Sequence, residues 1–209
     1  METVDVSTPV PLIIACGALA TDLKVGLHAA ALTSEDLEIR YLSVNLHNTP
    51  QRIVPELEAL LEAESGRPIL VGYADCGTGG GLDRLLERFP NAERLAGAHC
   101  YDVFAGEDHI AALQDDQPGT FYLTDFLARN FESLVWRGLG LDKHPSLKDM
   151  YFGHYTRVVL LAQDDNDPKV LQSAEAAAER LGLAFEVHPV GRHRLMKSVV
   201  SVIPVEIAE

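Results

Sequence analysis

The stretch VGYADCGTGGGLDRLLERFP, residues 71–90, decides the fold that the sequence predicts. It begins as an apolar run, passes through an acid and Cys76 into four glycines, and continues with apolar residues at helical spacing. A strand, a glycine-rich loop and a helix in direct succession form the repeating unit of α/β proteins with parallel sheets. The glycines also clear space beside a thiol, which makes Cys76 a candidate functional residue.

The rest of the chain repeats this alternation of strand and helix. Apolar or alternating runs predict further strands at residues 11–16, 37–44, 68–74, 93–100, 156–163 and 184–191. We therefore predict an α/β fold with a mostly parallel sheet and helices on both faces, as a single domain over residues 1–209. Residues 106–155 are less regular, and we expect a helical insertion over the edge of the sheet.

Composition and charge exclude several classes of function. The 209 residues include 17 Lys and Arg against 31 Asp and Glu, a formal net charge of −14. A surface so poor in clustered cations is unsuited to nucleic acids or anionic membranes. No apolar run approaches the roughly 20 residues of a membrane-spanning helix. The N-terminal segment is acidic before its apolar run, unlike a secretory signal. We therefore expect a cytoplasmic protein with neither a nucleic-acid nor a membrane partner.

All three cysteines, Cys16, Cys76 and Cys100, follow runs that are predicted as strands. The carboxyl ends of parallel strands share an edge where ligands bind, so the three thiols converge if their strands are neighbours. A nearby helix N-terminus is expected to favour the thiolate, and thiolates bind soft metals. Three ligands leave one coordination position open, as in catalytic zinc sites. We predict metal ligation by these cysteines, to an iron–sulfur cluster or to zinc; the alternative is three buried small side chains.

The loop after Cys76 is a candidate cofactor-binding segment. Glycines between a strand and a helix let backbone N–H groups approach a phosphate, a carboxylate or a cluster closely. The loop lacks the Lys-Ser/Thr pair of a P-loop and fits the dinucleotide-binding pattern only in part. Asp75 and Asp102 lie near cysteines and are either proton carriers or capping residues. The predicted cofactor-binding residues are Gly77, Thr78, Gly79, Gly80 and Gly81.

Five segments carry a resemblance to a known family: IIACGAL (13–19), ILVGYADCGTGGGL (69–82), CYDVFAG (100–106), PGTFYLTDFL (118–127) and YTRVVLLAQDD (155–165). In these segments and their order, the chain resembles the uncharacterised prokaryotic family catalogued as domain of unknown function 1638. The resemblance implies that the three cysteines occupy the family's cysteine positions. It also implies a role in corrinoid-dependent methyl transfer and one-carbon metabolism, with a corrinoid protein or methyltransferase as partner.

Two departures from the family pattern bear on the site. His99 precedes Cys100 where the family has a His-Asp-Cys string, which leaves the role of His99 open. Asp125-Phe126 stands where the family has Pro-Gly. Two hypotheses without a metal also stay open: a protein that binds an anionic small molecule at the glycine loop, and a non-catalytic accessory subunit of a methyltransferase. The latter would dock through the aromatic segment around Phe126, Phe131 and Trp136.

Overall fold

The chain forms two compact units, each with its own parallel sheet. The computed structural model describes residues 9–64 and 66–203. Of these residues, the first unit comprises those up to Leu95 and those from Leu195 onward, and the second comprises residues 96–194. The predicted α/β class and the parallel pairing are confirmed, but the strands are divided between two sheets where the sequence predicted one.

The first unit contains a four-stranded parallel sheet in the order β2-β1-β3-β4. Its strands are β1 (Leu12–Cys16), β2 (Glu38–Leu42), β3 (Ile69–Gly72) and β4 (Ala92–Arg94). Its helices are α1 (Ala20–Ala29), α2 (Ile53–Ala63) and α3 (Gly81–Leu86), with short 3-10 turns at Gly17–Leu19, Val44–Asn48 and Pro50–Arg52. One face of β1 and β3 packs on α2 and α3 and forms the main core cluster of this unit.

The C-terminal helix α9 (His193–Ser201) contributes its residues from Leu195 onward to the first unit. Leu195 and Val199 are fully buried. Met196 lies against α1 where that helix has Gly26, since a Cβ at Gly26 would approach the Met196 sulfur to 2.2 Å. The first unit is therefore completed by residues from the far end of the chain.

The second unit contains a three-stranded parallel sheet in the order β5-β6-β7. Its strands are β5 (Thr120–Thr124), β6 (Arg157–Ala162) and β7 (Ala184–Pro189). Its helices are α4 (Cys100–Ala105), α5 (Glu107–Asp116), α6 (Asp125–Arg129), α7 (Leu147–Phe152) and α8 (Pro168–Leu181), with a π-helical turn at Glu132–Trp136. Core clusters lie on both faces of this sheet, so the predicted helical cover on both faces is confirmed here.

The boundaries of α8 follow from its sequence. Asp167 accepts hydrogen bonds from the backbone N–H groups of Lys169 and Val170, and Pro168 occupies the first helical turn. Gly182 ends the helix in the left-handed conformation at φ +76°. The acid before Pro168 is therefore a helix cap.

Two segments differ from the sequence prediction. Residues 106–155 contain β5, which pairs with β6 along its whole length, so this segment supplies an edge strand of the second sheet and is not only helical. The strand predicted at residues 93–100 is shorter and ends at Arg94. Gly97, at φ +97°, interrupts the extended run before Cys100.

No helix within the two described ranges combines the length and the apolar character needed to cross a membrane. Part of the acidic N-terminal segment, residues 1–8, lies outside the described residues. The cytoplasmic location stays a prediction.

Candidate thiol site

The strand order of the first sheet creates a crevice beside β1. The chain passes from β1 to β2 on one side and then returns to place β3 on the other side. In open parallel sheets, ligands bind outside the carboxyl ends of the strands at the point where the order reverses. Cys16 is the last residue of β1, and Tyr73 directly follows β3. Cys16 therefore lies at the edge where a ligand is expected.

A close approach of the two strands fixes the geometry of this edge. Ala15 pairs with Gly72 in the parallel register. A Cβ at Gly72 would lie 2.8 Å from the Cα of Ala15, so residue 72 has no room for a side chain. The next residues along the two strands are Cys16 and Tyr73. They therefore lie beside each other at the carboxyl edge of the sheet.

Cys76 joins Cys16 at this edge. It lies four residues beyond the end of β3, and both cysteines pack against the same core cluster, each partly buried. Neither forms a disulfide. The structure therefore brings together two of the three cysteines that the sequence predicted as metal ligands.

Both thiols are harder to ionise than an ordinary cysteine. Burial raises the pKa of Cys16, although the Ala18 backbone and the Tyr73 hydroxyl act in the opposite direction. Burial, reinforced by the neighbouring Cys16, raises the pKa of Cys76 to about 12. The expected thiolate character from helix N-termini is wrong for these two residues, because desolvation outweighs it. Cys16 precedes only a three-residue 3-10 turn, and Cys76 lies five residues before α3.

The Tyr73 hydroxyl completes this cluster, which we call the thiol site (Cys16, Tyr73 and Cys76). Tyr73 is 3% exposed, and its hydroxyl is buried with no partner in normal hydrogen-bond geometry among the described residues. Burial raises the pKa of this phenol, and the adjacent Cys16 and Cys76 sulfurs raise it further. A buried polar atom without a partner is costly, so this hydroxyl lowers the stability of the fold.

The glycine-rich loop is held by an internal carboxylate. Asp75 accepts hydrogen bonds from the Thr78 hydroxyl at 2.8 Å and from the backbone N–H groups of Gly79 and Gly80 at 3.0 and 2.7 Å. Burial acts to raise the pKa of Asp75, but these hydrogen bonds outweigh it and lower the pKa. Asp75 therefore acts as a brace, and an anionic ligand would have to displace it from the N–H groups of Gly79 and Gly80.

Most of this loop has left-handed backbone. Cys76, Gly77, Gly79 and Gly80 have φ values of +49°, +82°, +62° and +74°. Glycine adopts this conformation freely, but a residue with a Cβ is strained by about 1–2 kcal/mol. Gly81 begins α3. Cys76 therefore holds a side chain in a strained conformation that glycine would adopt freely.

Cys100 belongs to the second unit and does not end a strand, so its predicted strand-end position is wrong. It is the first residue of α4, six residues beyond the end of β4. Asp102 accepts hydrogen bonds from the backbone N–H groups of Ala98 and His99 at 2.8 and 2.9 Å, which makes it a capping residue. The His99 ring stacks on Tyr101, with ring centroids 6.0 Å apart.

The carboxyl edge of the second sheet carries a polar cluster that the sequence did not predict. Asp125, 1% exposed, accepts hydrogen bonds from the backbone N–H groups of Gln163 and Asp164, both at 3.0 Å. Its own backbone N–H donates to the Gln163 side chain at 2.8 Å. Arg192 donates to the Gln163 carbonyl at 3.0 Å and lies 3.8 Å from the Asp125 carboxylate. We call these residues the Asp125 cluster.

The aromatic residues proposed for docking belong to the core of the second unit. Phe131 is buried, and Phe126 and Trp136 pack partly buried against the same cluster. Arg180 lies over the Trp136 ring, 3.8 Å from its centroid. These side chains stabilise their own unit.

The family assignment agrees with the resemblance noted in the sequence. A family model described as "Protein of unknown function (DUF1638)" matches residues 41–199 of the 209-residue chain. The chain belongs to the DUF1638 family. No curated protein and no solved structure matches this DUF1638 chain. Within residues 9–64 and 66–203, no group of three or more His, Cys, Asp and Glu side chains is arranged to hold a metal ion.

Proposed function

We propose that this DUF1638 protein binds a thiophilic metal ion through the Cys16 and Cys76 sulfurs of the thiol site. The observation that carries the proposal is the position of both sulfurs, beside an unpartnered Tyr73 hydroxyl, at the reversal of strand order in the first sheet. Parallel α/β sheets bind their ligands at this position. Soft thiolate donors select copper(I), zinc and iron–sulfur centres over hard cations.

The chemistry of the donors fits such an ion. Neutral thiols are poor ligands, and a metal must displace their protons before it binds. The raised pKa values of Cys16 and Cys76 keep both thiols protonated until a soft cation arrives. Binding should therefore release protons and strengthen as the pH rises.

Two sulfurs within one unit favour a single ion over a four-iron cluster, which normally takes four thiolates. The iron–sulfur alternative and the role of Cys100 as a third ligand stay predictions from the sequence. A bound zinc ion would hold a substrate thiol as a reactive thiolate, as methyl transfer requires. The corrinoid or methyltransferase partner implied by the family stays a prediction, which copurification with a corrinoid protein would test.

The alternative of an anionic small molecule at Gly77–Gly81 has less support. Asp75 already holds the N–H groups of Gly79 and Gly80, and its negative charge repels an anion. A bound phosphate or carboxylate would have to break these hydrogen bonds.

The test is metal analysis of the full-length protein purified without oxygen. We expect one equivalent of zinc or copper, and Cys16→Ser and Cys76→Ser should each lower the metal content to below a tenth of that of the parent protein. Titration with cobalt(II) should give a sulfur-to-metal charge-transfer band in the parent protein and not in either variant.

Cys100→Ser is the matched control, because it removes the one thiol that lies outside the first unit. Unchanged content in Cys100→Ser restricts the site to two sulfurs, and a matching loss would support the predicted third ligand. Metal-free parent protein that also fails to take up cobalt(II), zinc or copper(I) would overturn the proposal.

A further inference from the structure

Two histidine rings meet within the second unit. His109 belongs to α5 and is exposed, and His188 belongs to β7 and is partly buried. Their ring centroids lie 5.6 Å apart, with the ring planes inclined at 56°. In the described part of the chain, no hydrogen bond engages either ring. The ring nitrogens of both side chains are therefore available to a ligand.

The register of β6 and β7 explains why these two rings meet. His188 pairs with Leu161, and paired residues of neighbouring strands share one face of the sheet. Leu161 packs with Ile110 of α5 in one core cluster, so α5 covers this face. β7 is an edge strand, and His188 therefore lies at the rim of the face beside His109. Both rings are carried by regular elements that pack on a common core, which suits a preorganised site.

The separation of the rings matches two imidazoles that share one metal ion. Metal–nitrogen bonds of about 2.0–2.1 Å at a tetrahedral angle place the two ring centroids roughly 5–6 Å apart. The observed 5.6 Å lies in this range. The terminal torsion of a histidine side chain is broad, so each ring can turn a nitrogen toward the shared ion without moving the backbone.

The charges beside the rings also favour a cation. The Glu186 carboxylate lies 3.6 Å from Nε2 of His188, and it pairs with Arg157 at 3.0 Å. Asp116 lies 3.4 Å from the same guanidinium. Two acids therefore face one arginine, and the surplus negative charge attracts a cation. Glu186 also has the position of the carboxylates that orient ligating histidines from outside the coordination sphere.

We propose that His109 and His188 together bind one divalent transition metal ion of the zinc, copper(II) and nickel class. Imidazole nitrogen suits these ions, whereas the sulfur donors of the thiol site select softer ones. No third His, Cys, Asp or Glu side chain within residues 9–64 and 66–203 is placed to complete the set, so water fills the remaining positions. The ion links α5 to β7, and the inference does not depend on the proposed function.

The test is a zinc titration of the full-length, metal-free protein with ¹⁵N-labelled histidine, followed through the ring ¹⁵N signals. These signals report on imidazole ligands only, so zinc bound by sulfur at the thiol site does not interfere. We expect the signals of His109 and His188 to shift together along one saturation curve, with one equivalent of zinc bound between them.

His109→Gln and His188→Gln each leave a single imidazole, and each should weaken zinc binding at the remaining ring at least about tenfold. His144→Gln is the matched control, because His144 is another exposed histidine of the second unit and lies outside the pair. It should leave the saturation curve unchanged. Far-UV circular dichroism checks that the three variants are folded.

Ring signals of His109 and His188 that stay unchanged in excess zinc would overturn the inference, as would two separate saturation curves for the two rings. Zinc binding that survives intact in either glutamine variant would also overturn it. Joint shifts of the two rings in a protein whose Cys16 and Cys76 bind no metal would support this site and refute only the proposed function.

Discussion

The carboxyl edges of the two sheets in this protein have opposite characters. The edge of the first sheet has a reversal of strand order between β1 and β3, and it carries two neutral thiols and an unpartnered hydroxyl. The edge of the second sheet runs β5-β6-β7 without a reversal. There the Asp125 carboxylate, the Gln163 amide and the Arg192 guanidinium bind one another and the backbone.

This difference separates an edge whose buried polar groups are satisfied from one that keeps an unsatisfied hydroxyl. Parallel strands present the same backbone groups at both edges, but a reversal of strand order separates the loops and leaves a crevice between them. Without a reversal, the loops of β5 and β6 are close enough for side chains to bind across them. Buried polar groups that are satisfied stabilise the fold, whereas unsatisfied ones are kept at a cost in stability.

The largest expected loss of stability comes from Asp125→Ala, at the carboxyl edge of the second sheet. This substitution removes a carboxylate that accepts hydrogen bonds from two backbone N–H groups and lies beside Arg192. Asp125 is almost fully buried, so water cannot replace the lost acceptor. We expect a loss of about 3 kcal/mol in the free energy of unfolding. Urea denaturation measures it, and Asp165→Ala, at an exposed acid nearby, is the control. Equal stability of the two variants would contradict a structural role for the Asp125 cluster.

A smaller loss of stability is expected from Gly72→Ala, which forces β1 and β3 apart. Gly72→Ala places a methyl group 2.8 Å from the Cα of Ala15, and the two strands must separate to admit it. We expect a loss of about 2–3 kcal/mol from overpacking. Gly140→Ala is the control, since Gly140 has φ +73° but no atom within 4 Å of a new Cβ. That variant should lose only about 1 kcal/mol, from backbone strain; a cost as large as that of Gly72→Ala would contradict the close contact.

Removal of the Asp75 carboxylate from the glycine-rich loop should lower the stability less than either of these substitutions. Asp75→Ala deprives Thr78, Gly79 and Gly80 of their acceptor at a partly exposed position, and we expect a loss of about 1–2 kcal/mol. Hydrogen exchange at Gly79 and Gly80 should accelerate, which locates the change in the loop. Unchanged exchange at both amides would show that Asp75 does not hold them.

The contribution of Asp75 should depend on pH. Its folded pKa is lowered, so its stabilisation is fully present above the unfolded pKa of about 3.9 and is lost as the pH falls through the folded pKa. The stability difference between parent protein and Asp75→Ala should therefore be constant near neutral pH and shrink below about pH 4. Chemical denaturation from pH 3 to pH 7 measures it, and a difference that grows on acidification would have the wrong sign.

The smallest effect on folding is expected from Tyr73→Phe. The variant removes a hydroxyl that has no normal partner, so the free energy of unfolding should stay within about 1 kcal/mol of the parent value. This near-neutral result, beside the large loss from Asp125→Ala, is the sharpest test of the contrast between the edges. A loss of several kcal/mol would mean that the hydroxyl is satisfied in the folded protein.

The sequence predicted the parts of the fold that depend on continuous apolar runs. β1 and β6 lie within the predicted runs 11–16 and 156–163, because buried parallel strands need apolar residues in unbroken succession. The division into two sheets could not be predicted, since local periodicity does not state which strands pair. β5 was missed because its five residues run directly into α6, and their aromatic side chains suit either element.

The site was predicted only in part. The strand-end position of Cys16 and its proximity to Cys76 follow from the parallel arrangement of β1 and β3. The ionisation of the thiols could not be predicted, because it depends on burial, which only the folded chain defines. The role of Asp75 also required the structure, since an acid beside a glycine loop suits a proton carrier as well as a brace.

The contribution of α9 to the first unit has a consequence for synthesis on the ribosome. Residues 96–194 are contiguous, so the second unit can fold as soon as it emerges from the exit tunnel. The strands of the first unit precede this segment, but the unit lacks Leu195 and Val199 until residues 96–194 have been synthesised. The packing of the first unit is therefore completed only after α9 has emerged from the exit tunnel.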